Sequence, residues 1–435
     1  TALIRPIMSY GSIIWLKGTT IKGQIRLLDR VQRKACLSIL NAMPSTPTAG
    51  MEVILNIEPI SIYLKSQAIT TYNRLKANGN WRSQPGEVFN RLNHTNLITG
   101  IAGQITSISM PSDKLIYREL IQTNFRTIIH TRERMNRTLI RPKPYDDEGR
   151  TTNVCTDGSR FEGNSGAGYI IMGENLKLHG FSFLGEQTTV YQSELQAIRE
   201  ATHVLLEQEL EDKIINFYID NQSAITSLGK YQIKNKQVLE GKILLNRLAR
   251  KNTVQLFWIP GHSGHPGNEI ADNLAKKGAE MTLRGPCTTI PLADAVTTLE
   301  IKELGNRMHQ RYWDSHPHCR QTKMMLPKAK NKLWKQLIKQ PRKMMNLITQ
   351  IYTGHATLKR HLNLMAIEED GRCNQCNEEN TEETVQHYLA ECPAFSRSRR
   401  NSLGYISLTT NELPNLKLTK VLKYIKDTKR FEQND

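Results

Sequence analysis

Between residues 151 and 282 the hydrophobic pattern switches repeatedly between strand-like and helix-like spacing, an order few folds accommodate. Val154-Cys155-Thr156 is a short β-type run ending in Asp157-Gly158. Residues 167–172 and 176–184 follow as strand-like segments, separated by a turn at Gly173-Glu174-Asn175. Residues 190–208 then carry Leu195, Ile198, Thr202 and Leu205 on one helical stripe. A buried-type strand at 213–219, a helix at 237–250, a strand at 254–259 and a helix at 268–280 complete the series. Three strands, helix, strand, helices, strand, helix is the signature of a mixed α/β domain around a central sheet.

The flanks read differently. Ile25, Leu28, Ala35, Cys36 and Ile39 recur at helical spacing among Arg26, Arg30, Arg33 and Lys34. Ser45-Thr46-Pro47 looks like a helix start, with Thr46 as cap and Pro47 at the first helical position. From about residue 78 to 149 prolines and glycines weaken the pattern, although 116–141 suggests a basic helix carrying Arg118, Arg126, Arg132, Arg134 and Arg137. Pro142 to Asp147 reads as a linker. Beyond residue 283 helical spacing returns, and from 315 to 367 there is no acidic residue against eleven Lys or Arg.

The 435 residues suffice for roughly two to four domains. A net charge of +18 suits a polyanionic partner and makes nucleic acid the first class to consider. No segment reaches the ~18 apolar residues of a membrane span, and no secretory signal is visible. Seven cysteines, sparse and odd in number, argue against a disulfide framework and for a reducing compartment. The expected location is therefore intracellular rather than secreted. The chain opens on Thr1, as a fragment of a longer polypeptide would.

Four carboxylates occupy positions where sites form. Asp157 ends the first strand, Glu194 lies beside the apolar stripe of the first helix, Asp220 ends the 214–219 strand, and Asp272 lies in the first turns of the last helix. Strand ends of α/β sheets are where ligands gather. Taken singly, each has an ordinary explanation: a turn, a solvated helix face, a helix cap, a helix-dipole partner. Converging, they would repel unless a cation neutralised them, and hard oxygen ligands suit Mg²⁺ or Mn²⁺. Two such ions roughly 3.5–4 Å apart can activate water and stabilise the leaving oxygen of a phosphodiester.

The run Trp258-Ile259-Pro260-Gly261-His262-Ser263-Gly264-His265-Pro266-Gly267-Asn268-Glu269-Ile270-Ala271-Asp272 resembles the signature loop and final helix of type-1 ribonucleases H. Thr156-Asp157-Gly158-Ser159, Ser193-Glu194-Leu195-Gln196-Ala197 and Tyr218-Ile219-Asp220-Asn221-Gln222 are similar to that family's other motifs, in the same order. The resemblance covers under a third of the chain. It implies an α/β ribonuclease H-like domain with a mixed five-stranded sheet, flanked by mainly helical N- and C-terminal regions. It further implies two Mg²⁺ ions on Asp157, Glu194, Asp220 and Asp272, with Mn²⁺ a possible substitute, and His262 assisting proton transfer or product release. Gly158, Ser159 and Gln222 match positions near the RNA strand, whose 2′-hydroxyl separates RNA from DNA. The implied substrate is an RNA–DNA hybrid, cut to a 5′-phosphate and a 3′-hydroxyl. Two departures stand out: Val190-Tyr191-Gln192-Ser193 replaces the paired asparagines that often precede the helix glutamate, and the stretch from Asp220 to His262 lacks the full basic, Trp-rich handle of bacterial members, leaving Lys230, Lys234 and Lys236.

The flanks carry a second resemblance. Leu3-Ile4-Arg5-Pro6-Ile7-Met8-Ser9-Tyr10-Gly11, Leu28-Asp29-Arg30-Val31-Gln32-Arg33-Lys34-Ala35-Cys36 and Ser45-Thr46-Pro47-Thr48-Ala49 look like the end of a non-LTR, jockey-like retrotransposon reverse transcriptase. Tyr145-Asp146-Asp147 sits in a Pro-flanked linker, so no polymerase activity is expected. Cys373, Cys376, His387 and Cys392 form C-x2-C-x10-H-x4-C, a ligand set for a closed, structural Zn²⁺ site. That pattern, with Thr353-Gly354-His355 and Leu358-Lys359-Arg360-His361-Leu362, resembles the C-terminal motif of the same retroelements. The expected segments are 1–85, a helical remnant of the reverse transcriptase type; 86–150, basic helix and linker; 151–282, the ribonuclease H domain; and 283–435, a basic helical region with the zinc motif. Other nucleic acid is expected on the basic flanks, residues 320–343 among them. The alternative is a catalytically inactive nucleic-acid-binding protein of retroelement origin. A transposase or integrase fits the Gly-His-Ser-Gly loop less well.

Overall fold

The computed structural model describes residues 4–16, 21–78, 81, 94–129, 149–261, 264–281, 290–376, 378 and 380–432. Two compact units divide the chain: one of residues 73–83 and 105–300, the other of residues 1–72, 84–104 and 301–435.

The first unit is built on a six-stranded sheet in the order β2-β8-β6-β3-β4-β5. Strands β3 (Thr151–Phe161), β4 (Asn164–Met172) and β5 (Lys177–Gly185) form an antiparallel meander. Strands β6 (Ile214–Ile219), β8 (Thr253–Trp258) and β2 (Arg126–Ile128) add in parallel on the other side of β3. Helices α1 (Val190–Glu207), α2 (Gln222–Gly229), α3 (Lys236–Leu248) and α4 (Pro266–Glu280) connect or follow the strands. The core fills with Val154, Ile171, Ile215, Phe217 and Leu256 from the sheet and Leu195, Ile198, Leu205 and Leu245 from α1 and α3. A reciprocal capping box, Thr189 with Gln192, fixes where α1 begins.

Three expectations need correction. Residues 116–141 suggested a basic helix, but β1 (Lys114–Leu120) and β2 occupy the described part, and 130–141 lies outside the described residues. Thr127 and Ile128 are β-branched and Phe125 beside them is buried in the core, so packing decides against helix. β2 makes the sheet six-stranded rather than five-stranded. β1 instead pairs with β7 (Gln232–Asn235) in a separate antiparallel ribbon. Asp157 does not end its strand: β3 runs on to Phe161 through its pairing with β4. The linker at 142–147 lies outside the described residues.

The second unit is helical and draws one core from both ends of the chain. Cys36 and Leu40 of helix Lys22–Leu40 and Met51 and Ile54 of helix Thr48–Ile54 share it with Ile348 and Ile351 of helix Arg342–Thr353 and Val421 and Tyr424 of helix Leu418–Thr428. The helix after Ser45 starts one residue later than expected: Pro47 precedes its first turn and Thr46 does not cap it. Thr46 is instead buried, its N–H donating to the Met43 carbonyl. Among the described residues no helix is long and apolar enough to cross a membrane.

Candidate active site and metal centre

Strand register brings the first two carboxylates together. The parallel pairing of β3 with β6 ends at Thr156 opposite Ile219, so Asp157, next along β3, and Asp220, just past the end of β6, follow at the same level. Asn221, not Asp220, caps α2, its side chain accepting from the Ala224 N–H at 3.1 Å; the Asp220 carboxylate is not used as the cap. The Trp258 indole N–H donates to the Asp220 carbonyl at 2.8 Å and fixes the backbone there.

Gly158 brings in the third. A Cβ on Gly158 would lie 2.6 Å from the Glu194 nitrogen and 2.8 Å from the Ser193 Cβ, so only glycine lets the first turn of α1 approach β3 this closely. Carboxylate oxygens of Asp157, Glu194 and Asp220 consequently lie within 4.8 Å of one another. Asp272 arrives by the same device. Gly166 and Gly168 of β4 face α4, and a Cβ on Gly168 would meet the Ala275 nitrogen at 2.4 Å and the Ala271 oxygen at 2.6 Å. This contact seats α4 so that Asp272 hydrogen-bonds Asp157. Asp272 also pairs with Lys276 one turn on, at 2.6 Å.

The cluster is electrostatically loaded. Burial first, then the charges of Asp220 and Asp272, push the Asp157 carboxyl up to about 7, against the relief of the Gly158 N–H at 2.9 Å. Burial, then Asp157 and Asp220, hold Glu194 well above the usual carboxylate range. Glu194 Oε2 is buried without a hydrogen-bond partner among the described residues. A buried carboxylate oxygen that lacks a donor, set among carboxylates that repel one another, fits a hard divalent cation. Of the other expected site residues, Gly158 is buried under α1, Ser159 is partly exposed on β3 opposite Gly166, and Gln222 is exposed at the first position of α2. His262 lies outside the described residues.

In the helical unit, ligand atoms of Cys373, Cys376, His387 and Cys392 also lie within 4.8 Å of one another. Cys373 and Cys376 sit in a turn closed by the Arg372–Glu382 bridge. His387 opens a π-helical turn, His387–Glu391, that ends at Cys392. Its Nε2 is 3.5 Å from the Cys376 sulfur, while its Nδ1 faces Glu391 at 3.9 Å, an arrangement that aims one ring nitrogen at the thiols. Buried Arg399 donates to the Cys392 carbonyl at 2.7 Å, and buried Arg430 grips Glu383 with two bonds of 2.7 Å. Burial, then the neighbouring Cys373, pushes the Cys392 thiol up to about 12. Three sulfurs and one imidazole in a mostly buried cluster are the donor set of tetrahedral Zn²⁺.

Sequence comparison places the sheet unit among known proteins. The family model for RNase H matches residues 149–280. Ribonuclease HI of Haemophilus influenzae is 35% identical over 141 residues, 29% of this chain and 88% of that protein. Ribonuclease H of Mannheimia succiniciproducens is 35% identical over 150 residues, 31% of this chain and 92% of that protein. The crystal structure of RNase H1 from Halobacterium salinarum NRC-1 is similar at 17% identity and a TM-score of 0.25, over 29% of this chain and 96% of that one.

Proposed function

We propose that this chain, which belongs to the ribonuclease H family, is an endoribonuclease that hydrolyses the RNA strand of RNA–DNA hybrids. The observation that carries the reading is the convergence of Asp157, Glu194 and Asp220 within 4.8 Å, with a partnerless buried oxygen on Glu194. These three with Asp272 would hold two Mg²⁺ ions, for which Mn²⁺ could substitute; bound there, the ions would activate water and stabilise the leaving 3′ oxygen. The protein's own part is to fix four carboxylates on a strand, a strand end and two helices, so that little reorganisation accompanies the reaction. Water adds to phosphorus, the P–O3′ bond breaks, and the products are a 5′-phosphate and a 3′-hydroxyl. His262 is assigned to proton transfer or product release. Gly158, Ser159 and Gln222 are assigned to the RNA strand, Gly158 by letting α1 approach and the other two by their exposure beside the cluster.

The Cys373, Cys376, His387 and Cys392 cluster is read as a structural Zn²⁺ site, and the basic helical unit as a second contact for nucleic acid. Together with the flanking motifs, this supports an origin in the C-terminal part of a non-LTR retroelement polyprotein. Cleavage of a labelled hybrid with Mg²⁺, wild type against Asp157→Asn, tests the activity. RNA cutting that disappears in the variant is expected; folded wild-type protein that binds hybrid without cutting it would replace the enzyme with a binding protein. Metal analysis tests the second site: zinc content unchanged in Cys373→Ser would remove it.

A further inference from the structure

We propose that the β1–β7 ribbon is a substrate-holding surface for the hybrid, gripping its backbone next to the carboxylate cluster. The proposal rests on the ribonuclease H reading for the identity of the nucleic acid.

The ribbon presents an unusual surface. Between the pairs Lys114–Asn235 and Glu119–Ile233, β1 has four residues where β7 has one, so the strand bulges outward. The bulge raises Ile116, Tyr117 and Arg118 into solvent, with Tyr117 81% exposed and Ile116 52%. Tyr231, just before β7, is 57% exposed. Around these side chains stand Lys114, Arg118, Lys230, Lys234 and Lys236, against the carboxylates of Glu119 on β1, Asp294 beside Lys114, and Asp113, which is buried and bonded to Asn235. Of the five cations only Lys114 is ion-paired among the described residues, with Asp294 at 3.2 Å.

The other face of the ribbon is firmly held. Ile233 is buried and Leu115 packs against the sheet core. The Lys236 N–H donates to the Asp113 carbonyl at 2.7 Å, and the Ile121 N–H to the Tyr231 carbonyl at 3.0 Å. The anchorage reaches the catalytic helix: Gln237 donates to the Gln192 carbonyl at 3.0 Å, and Gln192 donates to Asp113 at 3.5 Å. Gln192 lies two residues before Glu194, so the ribbon is braced against the turn that carries a metal-site carboxylate.

Unpaired cations beside exposed aromatic and aliphatic side chains match a partner that is anionic and also has apolar faces. A nucleic-acid backbone is such a partner, with phosphates for Arg118 and Lys234 and sugar faces for Tyr117 and Tyr231. Tyr117 and Arg118 lie outside residues 149–280, so the family match does not assign them. They also add aromatic character where Lys230, Lys234 and Lys236 alone gave little.

The test uses the full chain in two forms. With Asp157→Asn as a non-cutting background, Kd for a labelled hybrid is measured by fluorescence anisotropy over a salt series; in the otherwise wild-type protein, KM and kcat are measured. Tyr117→Ala is expected to weaken hybrid binding about 10-fold, with the loss falling on KM. Lys234→Glu, a second exposed position, is expected to weaken binding and make it about one unit less steep in log salt. Unchanged Kd and KM in both variants, with cutting intact, would overturn the ribbon and leave the enzyme standing. Tyr117-dependent hybrid binding without any wild-type cutting would uphold the ribbon and sink the activity. A poly-glutamate peptide that displaces hybrid and depends equally on Tyr117 would overturn it in favour of an acidic protein partner.

Discussion

The carboxylates of the sheet unit are spread from Asp157 to Asp272 over two strands and two helices, whereas the thiols and imidazole of the helical unit all fall between Cys373 and Cys392. The first set exists only once strand register and two glycine contacts are complete. The second is closed by a turn, a bridge and one π-helical turn. The chemistry differs in parallel: oxygens that repel one another until a hard cation arrives, against sulfurs suited to a permanent soft one. On the proposed reading, one arrangement would leave room for substrate oxygens, and the other would enclose its ion. The two clusters thus differ in how far apart in sequence their residues originate, the trait that would separate a working site from a structural one.

The contrast can be broken most severely at Asp157. Asp157→Asn is expected to cut hybrid cleavage on the order of 10³-fold or more, yet to raise the melting temperature of metal-free protein by relieving repulsion. A variant that melts earlier without metal would show that the cluster is not under electrostatic load. Cys392→Ser should do the reverse, losing zinc and destabilising the helical unit by on the order of 5 kcal/mol; a melt of the same midpoint and zinc content would end the structural assignment. Gly168→Ala sharpens the geometric half of the comparison. Its methyl must displace α4, at about 3 kcal/mol, and hybrid cleavage should fall with it because Asp272 moves; full activity at normal stability would mean α4 tolerates the shift.

The smallest effect concerns a carboxylate outside both clusters. Glu52 of the helical unit is buried beside Gln32, and burial, ahead of the nearby Asp29, raises it to about 7. The folded protein therefore favours its protonated form. That stability is complete below the ordinary carboxylate range and is lost as pH rises toward and through about 7. For the melt of the helical unit, measured in Mg²⁺, the slope should not exceed about 1.4 kcal/mol per pH unit and should vanish in Glu52→Gln. Urea melts across this range that keep the slope in the variant would assign it to another group.

Much of the site was legible because its motifs are local strings. Asp157-Gly158, Ser193-Glu194 and Asp220-Asn221 each name a short stretch whose place at a strand or helix start follows from the neighbouring apolar spacing. What escaped was long-range. Arg126–Ile128 becomes a strand only by pairing with Gln255, Leu256 and Phe257, and nothing in its own composition announces such a partner. Residues 116–120 read as the start of a basic helix because arginines at loose spacing mimic a basic helical face, whereas their structure is set by pairing with β7. Asp157 seemed to end a strand because glycine normally stops one; here Gly158 makes room for α1. Likewise, the ends of the chain looked like separate segments, since periodicity within a helix says nothing about which helix will share its core.

That shared core has a consequence for synthesis. Residues 1–72 must wait for partners beyond residue 300, while the sheet unit is complete once residue 300 has emerged. At about 5–20 residues per second, the wait for the last of those partners, near Phe431, is roughly 20–70 s, during which Cys36, Leu40, Met51 and Ile54 have no complete C-terminal half to cover them. On the ribosome, then, the middle of this protein matures before its beginning, and the nascent N-terminal helices are the segment with the greatest need of a chaperone.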